Sequence, residues 1–358
     1  LIPTGMMYQS SWGALGTQLS LFMVVIISAL SKFTLIQTSA LFAFVQLLWA
    51  IASALYIRFK LPEHYPWWRS FSFSWGLRDL LRSIPLTVSG LIQQGSSNGL
   101  VILISVVAGA AAVPVFTTVR TLTNLWTNVT NLLTTPLLPD VVRFHAKNEW
   151  RKLFAVHETH GVITVGAVNF SILLLYPFIE PMYKYWTSHA VALDKVLLCT
   201  LLASVSLMNF GAMMNIFLSV INHHRSILST VIARGSVSLI FGGVLLSYVG
   251  VGGLGLGVWA GELVALALLV YFFIKTARMH PETNPSLATL APALFSVASV
   301  QVYLGMVAIE TPGAPVLYLL ALIGVLLGTV GGWRRLDVET RSRLTRLVGK
   351  RFGIKEAV

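Results

Sequence analysis

Apolar residues in this 358-residue chain fall in ten blocks of about twenty, separated by short polar or charged segments. At about 1.5 Å of rise per residue, a helix of that length matches the ~30 Å hydrocarbon thickness of a bilayer. Lipid supplies no hydrogen-bond partners, so each block must satisfy its own backbone, which a helix does alone. A barrel would need segments of about ten strictly alternating residues, and these are absent. Only 11% of the chain is charged and 56% is hydrophobic. A soluble domain carries about 25% charge to cover its surface. The expected fold is therefore all-α, a polytopic integral membrane protein of about ten transmembrane helices.

The spans are expected at 11–30, 35–59, 84–107, 113–138, 161–179, 196–220, 226–249, 252–273, 287–309 and 315–333. Loop charge tests that count. Of the 25 basic residues, 20 lie in alternate loops and the tail, 3 lie on the other side, and Arg120 and Arg234 lie within spans. By the positive-inside rule, the basic loops and both ends of this stretch are expected to be cytoplasmic. The net charge of +12 is then a topology signal, and no nucleic-acid partner is expected. The lone Cys199 rules out a disulfide framework. No secretory leader can be read at the start, and a chain opening on Leu1 close to a span suggests that residues precede it.

Segment 61–83 contains Pro62, Pro66, Trp67, Trp68 and Trp75 and reads as a linker on the membrane surface, with its aromatic rings at headgroup depth. The tail 334–358 is basic, with Leu336, Leu344, Leu347, Val348 and Phe352 interspersed, the pattern of an interfacial helix on anionic membrane lipids.

The fourth span is unusual. Thr117, Arg120, Thr121, Asn124, Thr127, Asn128, Asn131, Thr134 and Thr135 recur at three- and four-residue steps, which places them on one helical face. The third span carries Ser89, Gln93, Gln94, Ser96, Ser97 and Asn98. Polar faces of this kind either line a shared hydrated cavity or join helices by hydrogen bonds worth roughly 0.6–2 kcal/mol each. Arg120, Asn124, Asn128, Asn131, Gln93, Ser97 and Arg234 are the candidate binding residues, and no catalytic residue is expected. An unpaired arginine at the bilayer centre costs at least about 2.5–3.5 kcal/mol, so Arg120 marks a place for an anion, and a guanidinium can grip a phosphate bidentately. Arg234 either pairs with Glu262, the only carboxylate within a span, or snorkels to the interface.

Other patterns are weaker. Gly253, Gly257 and Gly261 allow close helix approach. Gly250 to Gly257 resembles a nucleotide-binding glycine run, but no strand precedes it. His157-Glu158-Thr159-His160 is one residue short of a zinc-protease motif and lacks a further ligand nearby, so no metal site is expected and the segment reads as basic and interfacial. His223 and His224 read as a turn, and Pro136 with Pro139-Asp140 as a helix stop.

Ser83-Ile-Pro-Leu-Thr-Val-Ser-Gly-Leu-Ile-Gln-Gln, then Val115-Phe-Thr-Thr-Val-Arg-Thr-Leu-Thr-Asn-Leu, then Pro136-Leu-Leu-Pro139 with the basic loop after it resemble polysaccharide and O-antigen flippases. These belong to the multidrug/oligosaccharidyl-lipid/polysaccharide exporter superfamily. The resemblance implies two six-helix lobes joined by a cytoplasmic linker, sometimes followed by two extra helices. On that plan 1–60 is the remnant of a first lobe lacking four spans, 61–83 the linker, 84–280 the second lobe, 281–333 an accessory pair and 334–358 the tail. It also implies a transporter of the bacterial inner membrane, moving an undecaprenyl-diphosphate-linked glycan from the cytoplasmic to the periplasmic leaflet. Glycan polymerase or assembly machinery would be its neighbours, and H⁺ or Na⁺ its coupling ion, with Glu262 as the candidate coupling residue. No other cofactor is implied.

Two other readings compete. An ion-coupled drug exporter of the same superfamily would want acidic membrane residues, and only Glu262 qualifies. A polyprenol-dependent glycosyltransferase or ligase would want catalytic groups on large non-cytoplasmic loops. The longest such loop, 180–195, holds only Glu180 and Asp194 as acids, so an enzyme is not expected.

Overall fold

The computed structural model describes residues 7–60, 62, 72–279, 287–311 and 314–336. Among these every regular element is helical: α1 (Met7–Leu30), α2 (Leu35–Lys60), α3 (Phe73–Val107), α4 (Ala112–Thr134), α5 (Leu138–Ala146), α6 (Trp150–Trp186), α7 (Lys195–Val220), α8 (His224–Val249), α9 (Val251–Ala277), α10 (Leu287–Ala308) and α11 (Ala314–Arg335). Eight of the described helices are long and apolar enough to cross a membrane. Helix α4 is not among them, because the polar stripe dilutes its apolar surface. The chain is an all-α polytopic membrane protein.

Helix lengths depart from the apolar blocks in an instructive way. Helix α3 starts at Phe73, not near 84, and α6 runs for 37 residues, although its apolar block covers only 161–179. Apolarity measures the thickness of the hydrocarbon, whereas a helix continues as long as its backbone bonds are unbroken. The second half of the expected surface linker is therefore helical, with Arg78 stacked 4.8 Å from the Trp75 ring. The first half, with Pro66, Trp67 and Trp68, lies outside the described residues, as does the tail beyond Leu336.

The chain divides into two compact units, Leu1–Ser83 and Ile84–Val358. In the first, a reciprocal cap opens α2: the Thr34 N–H donates to Gln37 Oε1 at 2.9 Å and the Gln37 N–H to Thr34 Oγ1 at 3.4 Å. Trp49 on α2 donates from Nε1 to Ser20 Oγ on α1 at 3.1 Å, while its ring covers Gly16, where a Cβ would stand 2.6 Å from it.

The second unit is built around α7, which buries residues on every face, as a helix apolar all round should. Helices α8 and α9 form a hairpin turned by Gly250 at φ +71°. Their backbones approach so closely that a Cβ on Gly257 would lie 2.3 Å from Gly242 Cα. The α10–α11 pair packs on α6 and α7 and is tied there by buried polar bonds. Ser206 donates to Asn169 Oδ1 at 2.7 Å, Asn169 donates to Ser296 Oγ at 3.1 Å, and Gln301 Nε2 donates to the Ala203 carbonyl at 3.0 Å.

Helix α4 stops at Thr134, followed by a 3-10 turn at Thr135–Leu137 and the short α5. Each proline sits in the first turn of the element it opens, where its missing N–H costs nothing. At the expected basic interfacial segment His157–His160, both histidines are buried, so they present no exposed basic face there. His157 lies against Phe273 at 4.4 Å, and His160 Nε2 is 3.1 Å from Thr134 Oγ1. Among the described residues, no cluster of metal-ligating side chains forms.

Candidate functional site

Helices α3, α4, α7, α8 and α9 enclose a cavity of about 260 Å³. Six residues expected to bind or couple meet there: Gln93 and Ser97 from α3, Arg120 and Asn124 from α4, Arg234 from α8 and Glu262 from α9. Apolar Leu201, Val205 and Met208 of α7 form part of the wall. Asn128 and Asn131 are not in that lining; they stand one and two turns further along α4, exposed on the same stripe as Asn124.

The structure splits the polar face of α4 into two kinds of residue. The threonines Thr117, Thr121, Thr134 and Thr135 satisfy themselves within the helix, whereas the Thr127 hydroxyl has no hydrogen-bond partner among the described residues. Thr121 donates to the Thr117 carbonyl at 2.8 Å, Thr134 to the Thr130 carbonyl at 2.7 Å and Thr135 to the Asn131 carbonyl at 2.6 Å. The asparagines do not: Asn124, Asn128 and Asn131 are exposed, and among the described residues their amides have no hydrogen-bond partner. A row of free amides facing acyl chains would cost several kcal/mol per group, so this edge of α4 requires water, protein or a polar ligand.

The two arginines differ as sharply. Arg234 Nε lies 3.3 Å from Glu262 Oε1, with both side chains largely buried. The pairing expected as one alternative for Arg234 is realised. Arg120 has no carboxylate within ion-pair distance among the described residues. It donates from Nη1 to the Ser97 carbonyl oxygen at 3.1 Å and from Nη2 to the Ser97 hydroxyl, and its guanidinium lies 5.9 Å from the Phe116 ring. Neutral dipoles hold its geometry without cancelling its charge.

Sequence reasoning omitted Thr123, Ser204 and Ser238 from the site, and all three line the cavity. Thr123 is adjacent to Asn124 yet buried, donating to the Arg120 carbonyl at 3.0 Å. Only its one-position offset from the stripe could have flagged it. Ser204 and Ser238 sit singly in apolar runs and carried no signal.

Fold and cavity together define a polytopic α-helical membrane protein with a polar, arginine-bearing pocket between its spans. No family model, no curated protein and no solved structure matches the chain.

Proposed function

We propose that the protein is a membrane transporter that moves a lipid-linked, diphosphate-bearing oligosaccharide across the bacterial inner membrane, from the cytoplasmic to the periplasmic leaflet, for cell-surface polysaccharide such as O-antigen. The observation that carries the reading is Arg120, a cation without a counter-charge among the described residues, on the wall of an intramembrane cavity beside the row of asparagine amides on α4 that lack partners among those residues. A guanidinium held only by Ser97 can exchange those bonds for the oxygens of a diphosphate. Amides at Asn124, Asn128, Asn131 and Gln93 suit sugar hydroxyls, which both donate and accept. The lipid tail needs no site, since it stays in the bilayer. Rocking of helix bundles around the pocket would expose it to each side in turn. The basic loops lie on the cytoplasmic side in this reading.

The drug-exporter alternative is disfavoured by the same geometry. A cationic drug needs a free carboxylate, and Glu262, the acid lining this cavity, is engaged by Arg234. Covalent chemistry is not needed for the proposed task.

The test is export of the glycan by the full-length protein carrying Arg120→Ala. Transport is expected to fall by roughly tenfold or more, the loss of one charge-assisted interaction, with Arg120→Lys between the two. Undiminished export at equal expression removes the diphosphate role from Arg120.

A further inference from the structure

Arg120 already holds a group shaped like a ligand. Its Nη1 donates to the Ser97 carbonyl oxygen and its Nη2 to the Ser97 hydroxyl, so two oxygens of one residue occupy the end of the guanidinium fork. A phosphate presents two oxygens to the same fork. Both Ser97 oxygens are neutral, and a charged acceptor bonds a guanidinium more strongly. An anion that takes the end of the fork therefore displaces Ser97.

Displacement has a mechanical consequence, because Ser97 is the polar tie of α3. Among the described residues, hydrogen bonds from residues 88–107 of α3 to another helix occur at Ser97 alone. Apolar packing holds one end of the helix only. Of residues 84–107, Ser89, Leu100 and Ile104 are the buried ones, and the last two lie beyond Ser97, in the apolar cluster that contains Phe116 and Val119 of α4.

The contact of α3 with α8 is made at glycines: Ser96 rests on Gly235, Leu239 on Gly99 and Leu103 on Gly243. A glycine leaves no ridge to interlock, so α3 can shear along α8. At the other end, Pro85 lies inside α3 and supplies no N–H to the Leu81 carbonyl, which loosens the helix there.

We infer that Ser97 is an internal stand-in for the anion: it holds α3 against α4 until a phosphate group takes its place on Arg120, and the exchange releases α3. The inference rests on the phosphate role given to Arg120 under the transport reading. It reverses the part expected of Ser97, which acts as a competitor and a latch and not as a contact for the ligand. The anion moves α3 because it bonds Arg120 in one state and Ser97 does in the other, the differential contact that any ligand-driven change requires.

The test uses the full chain in detergent, with inorganic pyrophosphate as the probe. Ser97→Ala deletes the competing hydroxyl and is expected to bind pyrophosphate about tenfold more tightly than the unaltered chain, the weight of one hydrogen bond to a charged group. Ser97→Thr keeps the hydroxyl and should bind like the parent. Spin labels on cysteines replacing exposed Leu91 of α3 and Leu125 of α4 should move apart by roughly 2 Å or more at saturating pyrophosphate, the scale of helix shifts in switching proteins. Potassium chloride of equal ionic strength should leave them in place, and buried native Cys199 should stay unlabelled. Equal or weaker pyrophosphate binding by Ser97→Ala overturns the stand-in role, since truncating a ligand contact or a mere support does not raise affinity. Labels that stay put at saturating pyrophosphate overturn the release of α3. Both of those results leave the phosphate role of Arg120 standing. If neither the unaltered chain nor Ser97→Ala binds pyrophosphate, that role and this inference fall together.

Discussion

Arg234 and Glu262 show how much a membrane-embedded charge depends on its partner. Removing one member of a buried pair leaves the other stranded, at a cost of about 3–5 kcal/mol, whereas exchanging both for apolar residues of similar volume is often neutral. Glu262→Ala is therefore expected to lower the thermal midpoint of the detergent-solubilised protein strongly. Arg234→Met with Glu262→Leu should recover most of the loss. A Glu262→Ala protein as stable as the parent would mean that Arg234 finds water or lipid phosphate instead. The sequence named both residues and pairing as one outcome, but snorkelling remained open. The choice depends on the phase of α8 against α9, which the Gly250 turn and the contact of Gly257 with Gly242 set.

Among the elements, α4 was the most legible and also the most revised. Its three- and four-residue polar period could be read directly, and the helix forms as expected. Which side chains along it are free could not be read, because a threonine that bonds its own i−4 carbonyl and an asparagine that bonds nothing look equally polar in a sequence. Cysteines placed singly at Asn124, Asn128 and Asn131 should react with a membrane-impermeant maleimide, and cysteines at Leu125 and Leu132 should react only with lipid-soluble reagents. Native Cys199, buried in α7, should stay silent. Asparagine positions closed to aqueous reagent from both sides would contradict a hydrated edge. Helix α6 holds the opposite lesson. Its histidines looked interfacial by composition, yet α4, α9 and α10 close over them.

At the scale of the whole chain, the resemblance treats 281–333 as accessory, but the second compact unit does not. The Asn169 amide N–H and the Ala203 carbonyl complete their hydrogen bonding through Ser296 and Gln301 of α10. A chain ending at residue 279 would strip these partners and expose Val297, Val300 and Leu304's buried neighbours in α6 and α7. Such a chain is expected to lose its monodisperse profile in gel filtration, or to melt well below the parent; equal stability would make the pair dispensable.

The sequence by itself determined that this is a helical membrane protein and roughly where each span lies, because transfer into hydrocarbon is a sum over the residues of one block and needs no neighbours. It also determined that α3 and α4 carry polar faces and that Arg120, Arg234 and Glu262 are out of place in lipid. Tertiary structure alone decided that Arg234 takes Glu262 while Arg120 takes no carboxylate among the described residues, that Thr123 and Ser238 join the cavity while Asn128 and Asn131 stay outside it, and that His157 and His160 are buried. Those outcomes depend on which helices are adjacent and on their rotation about their own axes, and a small change in rotation exchanges a buried face for an exposed one without altering any local preference.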